Sequence, residues 1–337
     1  MFRSLTTWAM TIGILVPTSF VSAFAPNDPD LGEQWYLSKI HAQEAWEHSQ
    51  GDRRVVVAVL DTGMDLDHED FVDNLFTNTG EVAGDGKDND NNGYVDDVNG
   101  WDFFDDDEDP SYTDEFGNTV GAHHGTVVAG IIGAVGDNET GVSGVSWMVQ
   151  ILPIRVLNES GDGSITKITE AIRYATSMGA DVINMSFVGS FTSKGLDQAL
   201  QEAYNKGVVL VAAMGNESDD LDRVPLYPVC SKGTGNDNIV IGVVSSNADD
   251  ERSDFSNYGS GCADIAAPGE GFYTTQVEDL AKPYGGGWDG TSMAAPVVSG
   301  AAALIKAVYP HATSDEVRIA LQLAVDPIVG KAPSRRV

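Results

Sequence analysis

Three side chains in this sequence can share one proton-transfer task, and each stands in a setting that suits it. Ser292 lies in Gly290-Thr291-Ser292-Met293-Ala294-Ala295-Pro296, between the glycine run Gly285 to Gly287 and a small, apolar segment, Val297 to Val308. First-turn N–H groups of a helix have no intrahelical partner, so a serine at such a helix mouth has donors beside it that can hold an oxyanion. His124 opens His124-Gly125-Thr126-Val127-Val128-Ala129-Gly130, and Asp61 ends the apolar run Val57 to Leu60. A hydroxyl is a weak nucleophile until a neutral imidazole takes its proton, and a carboxylate holds that imidazole's tautomer. The chemistry this combination supports is acyl transfer. Taken singly, Ser292 also reads as a helix N-cap and Asp61 as a strand-end turn residue.

Together, and in the order Asp, His, Ser, these segments resemble the subtilisin-like serine proteases, the subtilases. The resemblance runs from about Trp35 to about Ala324. It implies a serine endopeptidase acting through an acyl-enzyme, with Asp61, His124 and Ser292 as triad. It also implies that Asn216, in Val211-Ala212-Ala213-Met214-Gly215-Asn216-Glu217, is an oxyanion donor beside the Ser292 N–H. One such donor is typically worth about 3 kcal/mol of transition-state stabilisation. Among six histidines His123 is the adjacent rival, but only His124 is followed by Gly-Thr. His68 resembles a family turn with a non-catalytic histidine.

Protein or peptide substrates are expected to bind as an extended strand against two edges, which the resemblance assigns to Gly161-Asp162-Gly163 and Ser186-Phe187-Val188. Met214 and Gly215 border the first specificity pocket. Phe187 and Val188 stand where Leu and Gly are frequent, so Val188 is expected to narrow that pocket and to favour an apolar residue before the scissile bond. Asp162 points to a basic residue further upstream. Val127 replaces a second, non-catalytic histidine found in many members. A catalytically silent subtilase-like domain that binds calcium or protein is the alternative. A lipase-type reading fails, because the G-x-S-x-G elbow and the Ser-before-His order are absent.

A second motif is acidic. In Asp85 to Asp97, the residues Asp88, Asp90 and Asn92 alternate and Gly93 follows, matching positions 1, 3, 5 and 6 of an EF-hand-like loop. Tyr94 would add a backbone carbonyl, with Asp96 or Asp97 as a later ligand. Position twelve is Asn99 rather than Glu, so the match is partial. A structural Ca2+ is expected in an insertion over about residues 79–118, between the Asp61 strand and the His124 helix.

The elements that must position these groups read as α/β. Val55–Leu60, Ile151–Val156, Asp181–Met185, Val208–Ala213 and Ile239–Val243 are apolar runs of buried-parallel-strand type, alternating with helical periodicity in Lys167–Met178 and Leu196–Lys206. This pattern predicts a mostly parallel sheet with helices on both faces, and active groups at the carboxyl ends of the strands. The resemblance specifies a three-layer subtilase fold, one catalytic domain over residues 26–337. Trp35 to Trp46 suits a short helix leading into the first strand.

Composition sets outer bounds. The chain has 337 residues, 42% of them hydrophobic, enough for one substantial core. Residues 1–25 read as a secretory signal, with Arg3, an apolar stretch broken by Pro17, and Ala23-Phe24-Ala25 for cleavage. An extracellular or periplasmic product is expected, with no membrane span after processing. No space is expected for the inhibitory propeptide of extracellular subtilisins, and the tail after Asp326 reads as short. Removing the signal, whose only charge is Arg3, changes the net charge from −32 to −33, which excludes nucleic acid as a natural partner. A monomer is the simplest expectation. Cys230 and Cys262 allow either one disulfide or two buried thiols.

Overall fold

The computed structural model describes residues 24–112, 120–235, 237–277 and 282–326. The expected signal lies outside them apart from Phe24 and Ala25, as does the end of the acidic insertion from residue 113.

In chain order the elements are α1 (Trp35–Lys39), α2 (Ala42–Trp46), β1 (Gly51–Asp61), β2 (Trp101–Asp102), α3 (His124–Gly133), β3 (Met148–Arg155), α4 (Ile165–Ser177), β4 (Val182–Met185), α5 (Lys194–Asn205), β5 (Val209–Ala213), β6 (Val240–Ser246), β7 (Ala263–Pro268), β8 (Phe272–Thr275), β9 (Tyr284–Trp288), α6 (Thr291–Val308) and α7 (Ser314–Leu323). Seven strands form one sheet in the order β2-β3-β1-β4-β5-β6-β7, with every pairing parallel. Strand β1 lies inside the sheet, third in that order, with β3 on one side and β4 on the other. Its carboxyl end therefore lies at a switch point, where open α/β sheets form their crevices.

The alternation of β1 divides the interior in two. Val55, Val57 and Val59 join Val127, Val128, Ile131 and the apolar face of α6 in one core. Val56, Ala58 and Leu60 join Ile168, Ile172, Leu196 and Leu200 of α4 and α5 in the other. Successive side chains of a strand point to opposite faces, so a strand buried on both sides reads as an unbroken apolar run. Helix α6 has the length and apolarity of a membrane span, but two thirds of it is buried inside the molecule.

Three local features differ from, or complete, the sequence reading. The expected single N-terminal helix is two short ones, α1 and α2, broken where His41 takes a left-handed φ of 56°. The glycine run Gly285–Gly287 is part of β9, which pairs antiparallel with β8. Cys230 and Cys262 form a disulfide across 32 residues, with Cα atoms 4.9 Å apart.

Candidate active site

Asp61, the last residue of β1, is 1% exposed. Its Oδ1 accepts the Thr62 N–H at 2.8 Å and lies 2.7 Å from His124 Nδ1. A carboxylate oxygen only accepts, so Nδ1 carries the proton and Nε2 is left with a lone pair. His124 begins α3, whose start lies against the β1 turn. A Cβ on Gly125 would collide with the Gly63 carbonyl, and Thr126 Oγ1 accepts the Asp65 N–H at 2.9 Å. Burial disfavours the charged imidazolium, but the charge of Asp61 and its hydrogen bond outweigh this and hold the His124 pKa above the ordinary imidazole value. The rival His123 accepts the Val277 N–H at 3.1 Å, and His68, fully buried, donates Nε2–H to the Pro283 carbonyl at 2.8 Å.

Helix α3 packs beside α6, which carries Ser292 in its first turn. A Cβ built on Gly290 would lie 2.9 Å from Ser292 Oγ, 3.4 Å from Asn216 Nδ2 and 3.6 Å from Ser292 N. A hydroxyl, a side-chain NH2 and a backbone N–H thus face one shared space that only glycine leaves open. Asn216 follows the carboxyl end of β5. Its Oδ1 accepts from both the Thr291 N–H at 2.9 Å and the Thr291 hydroxyl at 3.0 Å. A backbone N–H can only donate, so the amide oxygen must face Thr291 and the NH2 faces the shared space.

Pro296 sits inside α6 and has no N–H for the Ser292 carbonyl four residues back. The Ser186 hydroxyl donates to that carbonyl instead, at 3.0 Å. Ser186 accepts from Asn184 Nδ2 at 3.0 Å, and Asn184 Oδ1 accepts from Ser299 Oγ at 2.8 Å. This buried chain ties the end of β4 to α6 at Ser292 and, about two turns further on, at Ser299.

Phe187 and Val188 continue from Ser186, half-buried. A Cβ on Gly215 would lie 3.1 Å from Val188 Cγ2, so the valine reaches across to the Gly215 backbone. The other expected edge is less strand-like. Gly161 and Asp162 form a tight turn in which Asn158 N–H donates to the Asp162 carbonyl at 3.0 Å, and Gly163 alone pairs, with Leu157.

Residues 52–336 match the family described as the Subtilase family. Thermitase from Thermoactinomyces vulgaris is 35% identical over 308 residues, covering 91% of this chain and 94% of that protein. The halolysin-like extracellular serine protease Nep of Natrialba magadii is 35% identical over 299 residues, covering 87% of this chain and 47% of its own length. A solved protease from Pseudoalteromonas arctica superposes with a TM-score of 0.71 at 32% identity, covering 90% of this chain and 93% of that one.

The chain belongs to the subtilase family. It is a serine endopeptidase, and its substrates are proteins or peptides.

The subtilase's acidic insertion differs in detail from the expected EF-hand-like loop. Glu81, Asp90 and Asp97 each present a carboxylate oxygen, all within 4.8 Å of one another. Glu81 was not among the expected ligands. Asp88 instead shapes the turn, accepting the N–H groups of Asn92 at 3.0 Å and Gly93 at 2.9 Å. Asn92 turns its Nδ2 toward Asp90 and Asp97, while its Oδ1 accepts the Tyr94 N–H at 2.8 Å. The ring of Tyr94 packs edge-on against Trp101, Phe103 and Tyr174. Asp97, fully buried, accepts from Tyr174 Oη at 2.7 Å and Asn78 Nδ2 at 2.9 Å. Burial raises its pKa above the usual carboxylate range against those hydrogen bonds.

A second acidic pair was missed altogether. Asp28 and Asp70 are buried beneath the loop of residues 137–142. Asp28 accepts the N–H groups of Asp137 and Asn138 and the Ser143 hydroxyl. Asp70 accepts from Asn138 Nδ2 at 2.8 Å and the Val142 N–H at 3.0 Å. Burial, with a smaller contribution from the Asp28 charge, pushes the Asp70 pKa up to about 7. The partners lie over 40 and 100 residues apart, so no local spacing announces the pair.

Proposed function

We propose that this subtilase is a secreted, calcium-stabilised endopeptidase that cleaves through an acyl-enzyme on Ser292. The observation that carries the reading is the space beside Gly290 shared by Ser292 Oγ, Ser292 N and Asn216 Nδ2, together with the 2.7 Å contact of Asp61 and His124. Ser292 Oγ attacks the peptide carbonyl carbon while His124 Nε2 takes its proton. The carbonyl oxygen becomes an oxyanion, received by Asn216 Nδ2 and the Ser292 N–H. His124 then protonates the leaving amine, and a water repeats the sequence in reverse to release the acid. Asp61 stabilises the transient imidazolium.

The substrate chain lies between the turn of Gly161, Asp162 and Gly163 and the segment Ser186-Phe187-Val188, with Gly215 on the floor of the first pocket. Val188 reaching Gly215 favours a small, apolar residue before the scissile bond. Asp162, exposed, suits a basic residue further upstream.

Carboxylate oxygens are the donor set of a hard cation, and those of Glu81, Asp90 and Asp97 converge within 4.8 Å of one another. These residues would hold Ca2+. The ion supplies no chemical step; it offsets the mutual repulsion of the carboxylates and binds the insertion to α4 through Asp97 and Tyr174. Export is supported by the signal-like residues 1–25, by the Cys230–Cys262 disulfide, and by a relative named as extracellular. The catalytic domain would then span residues 26–337, with the insertion at about 79–118.

The test is labelling by a fluorophosphonate probe and casein hydrolysis by residues 26–337, beside Ser292→Ala. Labelling and hydrolysis that both vanish in the variant are expected. A folded, calcium-loaded protein that neither labels nor hydrolyses would refute the mechanism.

A further inference from the structure

An oxyanion donor works only if it is in place before charge develops. The side chain of Asn216 is held by Thr291, but its backbone belongs to a loop, Met214 to Asp219, that leaves the end of β5. One distant residue organises that loop. Asn257 is fully buried, and its amide is spent entirely on it. Nδ2 donates to the Met214 carbonyl at 3.0 Å and to Glu217 Oε2 at 2.7 Å. Oδ1 accepts the N–H groups of Glu217 at 3.0 Å and Asp219 at 2.8 Å. A side-chain amide has two donors and one oxygen with two lone pairs, so its capacity is used in full.

The backbone adds to this. Asn257 N–H donates to the Gly215 carbonyl at 3.0 Å. Glu217 Oε2, itself held by Asn257, accepts the Asn216 N–H at 2.9 Å. Asn216 is therefore clamped on both sides by groups that Asn257 holds. Gly215 is required for the approach, because its φ is +95° and a Cβ there would lie 2.5 Å from Asn257 Nδ2.

We infer that Asn257 is a positioning residue for the oxyanion amide, acting through Asn216 by fixing the Met214–Asp219 backbone. The inference rests on the oxyanion role proposed above for Asn216. An aspartate at 257 would keep the acceptor facing Glu217 and Asp219 but would set a second oxygen against the Met214 carbonyl and the Glu217 carboxylate.

The experiment is a double-mutant cycle of Asn216→Ala and Asn257→Asp, reading kcat and KM on a peptide substrate, with Asn257→Ser run in parallel in case the charged variant fails to fold. Asn216→Ala is expected to lower kcat about 10²–10³-fold. Asn257→Asp should lower kcat at least about tenfold with KM little changed, and should have almost no further effect once Asn216 is alanine. An equal loss in both backgrounds, or no loss in the first, overturns the positioning role. If Asn216→Ala itself leaves kcat unchanged, the oxyanion assignment fails first and the role of Asn257 falls with it.

Discussion

The hydroxyl of Ser186 donates to the carbonyl of Ser292 at 3.0 Å, taking the place of the helical N–H that Pro296 lacks. The helix that carries the proposed nucleophile is thus completed by a residue from the proposed substrate edge. Ser186→Ala leaves a carbonyl without its donor and should cost about 1–3 kcal/mol of stability. Replacing Pro296 by alanine in that background restores a helical N–H and should recover part of the loss. Denaturant unfolding of the single and double variants checks this; a double variant no more stable than Ser186→Ala would contradict it.

The catalytic role proposed for the Asp61–His124 pair implies a pH dependence. Catalysis needs a neutral imidazole, and the raised His124 pKa means that kcat/KM should rise with pH through a midpoint above the ordinary value of about 6.5. Asp61→Asn should lower kcat by about 10⁴-fold and move the acid limb of the residual activity to lower pH. The sign for stability follows from the same shift. A folded pKa raised above the unfolded one gives stability that is full below the unfolded value and is lost as pH rises through the folded one. The difference in Tm between wild type and Asp61→Asn should therefore be largest in acid.

Removal of calcium should lower Tm, and Asp97→Asn should remove most of the EDTA-sensitive part. A ligand at about 100 times its Kd stabilises by about 2.7 kcal/mol, well within calorimetric reach. A Tm indifferent to EDTA would leave Glu81, Asp90 and Asp97 as a hydrogen-bonded turn only.

Asp70 should reveal itself in the pH dependence of stability. Its pKa is raised to about 7 in the fold, so its contribution to stability is present in acid and lost as pH climbs toward 7. Asp70→Asn should flatten the decline of Tm between about pH 4 and pH 7. An unchanged slope would mean that the pair is compensated by other groups.

Val188 Cγ2 lies beside the Gly215 backbone, the proposed floor of the first pocket, so Val188→Gly should widen that pocket. The ratio of kcat/KM for a large aromatic residue over alanine before the scissile bond should rise about tenfold or more, in the range one or two buried methylenes command. Profiling a peptide library before and after the substitution checks the shift, and an unchanged profile would remove Val188 from specificity.

The strands that flank Asp61 and Asn216 were legible because parallel strands buried on both faces leave continuous apolar runs, as in Val55–Leu60 and Val208–Ala213. The start of β1 at Gly51 was not, since Asp52, Arg53 and Arg54 extend it into solvent without apolar signal. Strand β9 was hidden because three glycines carry no side-chain pattern. Helix α7 announces itself through a capping box, Thr313 with Glu316, a signal present in the sequence but unused.

What the sequence by itself determined is the set of groups able to do chemistry and the motifs that mark them: Asp61 at a strand end, His124 and Ser292 at helix starts, Asn216 after a glycine. Those are local facts, written in residues a few positions apart. Tertiary structure decided the rest: that Asn257 grips the loop of Asn216, that Ser186 answers Pro296, that Glu81 joins Asp90 and Asp97, and that Cys230 meets Cys262. Each of these is a hydrogen bond, a charge contact or a covalent bond with a reach of a few ångströms, made between residues the chain separates by many positions. Only the folding of the sheet around β1 brings such partners within that reach.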